Sequence, residues 1–172
     1  MIFSVLIVNN RGKPRLVKFY VPIDEEKRLP LVGAIYDVVS QRSDKMCNFF
    51  DGNHLENEEL KKWGSDIKFV YRHFATLYFI FVVDGTESEL GMIDLIQIFV
   101  ESLDLHFENV CELDLIFHLD KVHQILDQVI SGGLILETDP QMIMNRIKEQ
   151  DDFSKQTKKE SKKKKKKKGR RK

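Results

Sequence analysis

The stretch from Ile67 to Val83, IKFVYRHFATLYFIFVV, limits the fold more than any other. Its first part alternates: Ile67, Phe69 and Tyr71 share one side, and Lys68, Val70 and Arg72 the other. Side chains two apart share a face of a strand, so this part predicts a half-buried strand. From Phe74 to Val83 nearly every residue is apolar, and many are aromatic or β-branched. Such a run predicts a strand buried on both faces, in the middle of a sheet. A buried helix is the competing reading, and the stop at Asp84-Gly85 argues against it. Two consecutive strands with so short a join pair antiparallel. The join near His73-Phe74 has no Gly or Asn to reveal its turn type.

A sheet with a two-sided core needs a globular chain around it. With 172 residues, 42% hydrophobic and 10% aromatic, the sequence supplies one domain and a tail. The net charge of +1 hides an asymmetry. Residues 151–172 carry 13 basic and 3 acidic side chains, residues 1–150 carry 15 and 24. An acidic domain (1–150) and a basic tail (151–172) are two physical objects. The tail lacks apolar residues after Phe153 and holds seven consecutive lysines, so self-repulsion predicts a disordered segment. Cys47 and Cys111 lie in apolar surroundings and predict buried free thiols in a reducing compartment. The opening MIFSVLIV lacks a basic flank and a cleavage site, and it predicts a first strand rather than a signal peptide. Its length, like that of Phe74–Val83, falls short of the ~20 residues of a membrane helix. The domain is therefore expected in the cytosol, with any membrane contact peripheral.

In chain order, Ile2 to Val8 and Arg15 to Val21 predict a hairpin turning at Asn9-Asn10-Arg11-Gly12. A helix follows, from Asp24 or from Pro30 to Gln41, with a stripe of Leu31, Ile35, Val38 and Val39. Proline in a helix interior costs about 3 kcal/mol, which predicts a kink or a start at Pro30. Met46–Phe50 is a short strand candidate. Asp51–Asp66 is a charged loop with a helical turn at Glu56–Lys62, and Trp63 packs it down. Thr86 and Glu89 have the spacing of a capping box for a helix from Glu87 to His106. A further helix is expected over Val110–Ser131, stopped by Gly132-Gly133, and a last one from Pro140 to Lys148. This order predicts an α+β fold, an antiparallel sheet with helices on both faces.

No phosphate loop, zinc motif or nucleophile elbow is present. His118 and His123 are five apart, poorly placed to share a metal, and read as structural or exposed. Glu112-Leu-Asp114 places two carboxylates on different sides of a helix, which suits a solvated or inter-subunit role better than catalysis. No catalytic residue, metal ligand or cofactor is expected.

Phe69-Val70-Tyr71-Arg72 followed by Leu77-Tyr78-Phe79 resembles the signature of the small (sigma) subunits of clathrin-adaptor complexes. NNRGKPRLVKFY, FVESLDLHFENVCELDLIFHLDKVH, and Gly132-Gly133 before Leu136-Glu137-Thr138 resemble the same family. Together these segments span Met1 to about Lys148. Arg72 to Leu77 and Glu87-Ser88-Glu89-Leu90-Gly91 are most similar to the sigma subunit of the third adaptor complex. The resemblance implies a longin-like fold, a five-stranded antiparallel sheet sandwiched by helices. It implies a non-enzymatic role in vesicle-mediated transport, within a heterotetramer with a delta-like large, a second large and a medium subunit. It places the chain on trans-Golgi and endosomal membranes and coated vesicles. A small subunit of another coat, or a standalone longin-type regulator, is the alternative.

The resemblance also implies a pocket for acidic dileucine signals on cargo tails, lined by Ala75, Leu77, Val100, Val110, Leu113 and Leu115, with Asn109 at its rim. Arg15 would meet the signal's acidic residue, with Lys13 and Arg11 steering it. By themselves the six apolar positions would look the same in a plain core, and Arg15 is a solvated strand residue by default. The family pattern has no counterpart for Pro30 in the first helix or for the lysine tail. Lys162, Lys163, Lys164, Lys165, Lys166, Lys167 and Lys168 read as a tether to anionic lipid, at about 1 kcal/mol each. Association with nucleic acid or a nuclear-import-like patch is the competing reading, and a solvated tail without a partner the bland one. No basic-aromatic surface supports specific nucleic-acid recognition.

Overall fold

Two strands are sealed from water along nearly their whole length, and they sit side by side. In a computed structural model, β1 (Ile2–Asn9) is buried throughout, and β5 (Leu77–Asp84) is the middle strand of five. The structure describes residues 1–172 except 44, 53–54, 56 and 170–172, with side chains described as far as Lys155. The antiparallel sheet runs β2 (Pro14–Phe19), β1, β5, β4 (Ile67–Phe74), β3 (Phe49–Asp51). The antiparallel sheet expected from the strand order is present, with the five strands that the resemblance implies.

Alternation along the strands divides the core in two. Phe69, Tyr71, Ile80, Val82, Leu6 and Val8 pack with Leu31, Val32, Ile35 and Val39 of α1 (Glu25–Ser40). α2 (Glu58–Trp63) adds Leu60 to that face, and the Trp63 ring meets Phe3 at 5.7 Å and Phe19 at 5.9 Å. Val5, Ile7, Val70, Phe79, Phe81 and Val83 face the opposite way. They are covered by α3 (Glu89–Phe107), α4 (Glu112–Phe117), α5 (Leu119–Val129) and α6 (Pro140–Gly169). A strand with no polar face must be covered on both sides, and these helices supply the cover.

Several boundaries differ from expectation, each for a local reason. α1 takes the earlier of its two expected starts, at Glu25 with Asp24 as its cap, so Pro30 lies inside it, in the second turn, where it withholds one backbone donor. The third strand is Phe49–Asp51 rather than Met46–Phe50. Ser88, not Thr86, caps α3, with its hydroxyl accepting the Gly91 N–H at 3.2 Å. Thr86 is already engaged, its N–H donating to Asp84 Oδ1 at 2.9 Å. The single helix expected over Val110–Ser131 is two helices broken at His118, whose ψ of 39° leaves the helical region. Its end is a small hairpin, β6 (Ile130–Ser131) with β7 (Leu134–Ile135), turned by Gly132 and Gly133. The glycines have φ of +58° and +81°, so they form a tight hairpin turn instead of a helix cap. α6 buries Ile143, Met144 and Ile147 and runs on to Gly169, well past the expected end at Lys148. The run between Pro140 and Gly169 has no Gly or Pro and is rich in good helix formers, so the backbone of the lysine segment is helical rather than irregular.

A β-carbon on Gly133 would stand 2.5 Å from the Ile2 carbonyl oxygen, which belongs to the central strand pair, whereas Gly132 faces open space. Gly132→Ala should cost only the left-handed backbone strain, about 1–2 kcal/mol. Gly133→Ala should cost more, because it also pushes β1. Urea unfolding of the two variants checks this, and equal midpoints would count against the close approach.

Candidate functional site

Antiparallel pairing of β1 with β5, with Asn9 opposite Leu77, brings two hairpin turns to the same end of the sheet. In the β1–β2 turn, Asn9 Oδ1 accepts the N–H groups of Arg11 (3.0 Å) and Lys13 (2.9 Å). Asn side chains hold turns this way because they can stand in for a backbone acceptor. The β4–β5 turn is Ala75-Thr76, with Ala75 in the left-handed region at φ 51°. The Asn10 N–H donates to the Thr76 carbonyl at 2.8 Å and ties the two turns together.

The start of α4 rests on this double turn. Glu108 and Asn109, with φ of 53° and 79°, reverse the chain after α3. Asp114 Oδ2 accepts the Cys111 N–H at 2.9 Å and closes the first turn of α4, a contact that lowers the pKa of the Asp114 carboxyl. Glu112 then points into a set of donors. Its Oε1 accepts from Asn9 Nδ2 at 2.9 Å and Arg15 Nε at 2.7 Å, and pairs with Arg15 Nη2 at 2.7 Å. Its Oε2 accepts from Thr76 Oγ1 at 3.1 Å. Side-chain exposures of 14% for Arg15 and 25% for Glu112 leave the pair partly shielded from water, so its charge-assisted bonds are stronger than those of a surface pair. The bonds from Asn9 and then Arg15 hold the Glu112 carboxyl below its ordinary pKa.

The predicted pocket residues divide into two sets. Leu77 and Leu115 are buried, and Val100 and Val110 are half-buried against the same core. Ala75, Asn109 and Leu113 are exposed. The Thr76–Glu112 bond brings Ala75 and Leu77 beside the start of α4, next to Leu113. Leu113, Ile116, Phe117 and Leu119 form an exposed apolar stretch, with Leu113 59% and Phe117 74% exposed. Arg15 is not the solvated strand residue of the default reading, because Glu112 engages it. Arg11 and Lys13 are exposed close by.

Sequence reasoning misses Glu112 as the partner of Arg15, and Asn9 and Thr76 as further donors to Glu112. Arg15 and Glu112 are 97 positions apart, and only the sheet register and the α3–α4 turn join them. Neither carboxylate of Glu112-Leu-Asp114 is merely solvated: one holds Arg15 and the other caps α4. Cys47 and Cys111 are free as expected, but both are exposed. Cys47 precedes an edge strand and Cys111 caps a short helix, so neither reaches the core. His118 is exposed and stacks on Phe107 at 6.0 Å; burial lowers the pKa of His123. Among the described residues, no group of three His, Cys, Asp or Glu side chains is placed to hold a metal. The side chains of Lys162 to Lys168 lie outside the described residues. The site therefore offers a seat for a carboxylate beside an apolar surface.

The sequence matches the clathrin adaptor complex small chain family over residues 1–154. The chain belongs to that family. AP-3 complex subunit sigma of Dictyostelium discoideum is 53% identical over 155 residues, covering 90% of this chain and 88% of that one. AP-3 complex subunit sigma-2 of Homo sapiens is 52% identical over 155 residues, covering 90% of this chain and 77% of that one. A chain from a homology model of the full-length AP-3 complex in a stretched open conformation aligns with a TM-score of 0.67 at 40% identity, over 93% of this chain and 99% of that one. This protein is a small adaptor subunit of vesicle-mediated protein transport, similar to the AP-3 sigma subunits. The family is made of structural trafficking components, peripheral coat proteins rather than a known class of enzyme. Among the described residues no helix is long and apolar enough to cross a membrane.

The lowered carboxyl of Glu112 makes its contact pH-sensitive in a defined direction. A group that titrates lower in the folded chain stabilises it above the unfolded pKa, and that stability is lost as pH falls through the folded value. At neutral pH, Glu112→Gln should therefore unfold at a lower temperature than the parent. The difference should shrink as pH drops below 4.5, the ordinary glutamate value. Thermal melts across pH check this, and a constant difference would exclude Glu112 as the titrating group.

Proposed function

We propose that this chain packs against a delta-like large subunit, within a tetramer completed by a second large and a medium chain, and captures acidic dileucine signals on membrane cargo. It acts by binding alone, without catalysis, on trans-Golgi and endosomal membranes and their coated vesicles. The observation that carries this reading is the apolar surface of α4 beside a basic hairpin, with Arg15 seated between them. Burying a leucine side chain contributes about 1.5–3 kcal/mol. Two leucines, set against the ordering of a flexible tail, give the weak reversible binding that suits cargo released later. In this reading Ala75, Leu77, Val100, Val110, Leu113 and Leu115 take the leucines, with Asn109 at the rim, and Arg15 takes the acidic residue. Arg11 and Lys13 raise the rate of encounter with an acidic tail more than its final affinity.

The exposed α4 stretch also needs a cover in the assembled complex, since large apolar patches left in water favour association. The lysine segment of α6 adds a tether to anionic lipid, at about 1 kcal/mol per lysine near the surface.

Leu113→Ser should weaken capture of a dileucine peptide at least several-fold while the complex still assembles, read by pull-down from the purified complex. Unchanged capture by an intact complex would sink the pocket. Truncation after Thr157 should leave assembly intact and reduce flotation with phosphatidylserine vesicles at low salt, with little effect on neutral vesicles. Equal flotation of full-length and truncated complex would remove the tether. Recovery of the chain by affinity purification without large or medium adaptor chains would favour a standalone regulator.

A further inference from the structure

Resting on the cargo reading above, we infer that Glu112 is a specificity-determining residue: it occupies the seat for the signal's acidic group and sets how much that group contributes to capture. Arg15, Asn9 and Thr76 all turn their donors onto one carboxylate, and that carboxylate belongs to the chain itself. The geometry is that of a carboxylate receptor already filled. An arriving acidic side chain meets Arg15 only by displacing Glu112 or by sharing the guanidinium with it. Sharing places two like charges on one cation, which is unfavourable in a partly shielded site. Displacement avoids that repulsion, because the arriving carboxylate takes over the donors that Glu112 gives up. α4 has six residues, and Leu115 is the one it buries in the core. The chain enters it through two left-handed residues and leaves it at the non-helical His118. Glu112 can therefore swing from the seat with a small movement of α4.

The net gain from the signal's acidic residue is then the difference between two carboxylates on the same donors. A signal without an acidic residue forgoes that exchange, leaves Glu112 in place and binds through its leucines alone. The exchange also couples the two halves of the site. Glu112 and Leu113 are neighbours in the chain, so release of one alters the position of the other beneath the leucines.

The test uses the assembled complex and two synthetic peptides, a dileucine signal with an upstream glutamate and the same peptide with glutamine. The parent complex should favour the glutamate peptide only weakly. Glu112→Gln should tighten the glutamate peptide by roughly twofold to fivefold, as expected for freeing a partly exposed ion-pair partner, and change the glutamine peptide by less. Arg15→Gln should abolish the preference in both backgrounds. Thr76→Val loosens Glu112 without touching Arg15, and it should shift affinity in the same direction by less. It also serves as the second variant if Glu112→Gln unfolds α4, which melting curves report. Equal affinity of the parent and both variants for the glutamate peptide would overturn the competition and leave the cargo reading standing. Failure of every form of the complex to bind either peptide would overturn both.

Discussion

Everything in this fold follows from a central strand that has no face for water. β5 puts Ile80 and Val82 on one side and Phe79, Phe81 and Val83 on the other, all buried. Its hydrogen-bonding edges are taken by β1 and β4, and its two faces by helices. Burial of so much apolar surface near 25 cal/mol per Å² dominates the other terms, and it leaves the chain little choice of topology. The remaining elements are arranged by what they must cover: α1 and α2 on one face, α3 to α6 on the other.

The same pairing creates the site at the end of the sheet. Because β1 runs antiparallel to β5 with Asn9 opposite Leu77, the β1–β2 and β4–β5 turns are neighbours by construction. Polar groups at the ends of strands cannot join the ladder, so they seek other partners. The Thr76 carbonyl accepts the Asn10 N–H, and Asn9, Arg15 and Thr76 converge on Glu112. A rigid core thus ends in a polar seat, and against it lies a six-residue helix with an apolar outer surface. That combination suits a transport subunit. The core gives a fixed frame for assembly, and the short helix leaves Leu113, Ile116 and Phe117 exposed.

What was legible in the sequence depended on the range of the interaction. The alternation of Ile67, Phe69 and Tyr71 against Val70 appears as two separate cores, because strand periodicity is a local property. Trp63 packs the loop down as its neighbours suggest. Caps and breaks were less legible. Thr86-x-x-Glu89 has the form of a capping box, yet Asp84 captures Thr86 first, and Ser88 takes the role. Nothing in Phe117-His118-Leu119 announces a break, because His tolerates a helix and departs from it only when packing requires. The apolar residues Leu77, Val100, Val110 and Leu115 read equally as core or as pocket; in the folded chain Leu77 and Leu115 are buried in the core, and Val100 and Val110 pack half-buried against it.

The sequence by itself determined the sheet, its two-sided cover, and, through a signature spread along the chain, the adaptor small-chain family. These rest on patterns repeated over many residues, where each position reinforces the next. Only the tertiary structure decided what Arg15 does. Its partner Glu112 is 97 positions away, and neither residue carries a local mark of the other. A single ion pair across that distance has no periodicity to read. It exists because register, two turns and a short helix together place one carboxylate among four donor atoms.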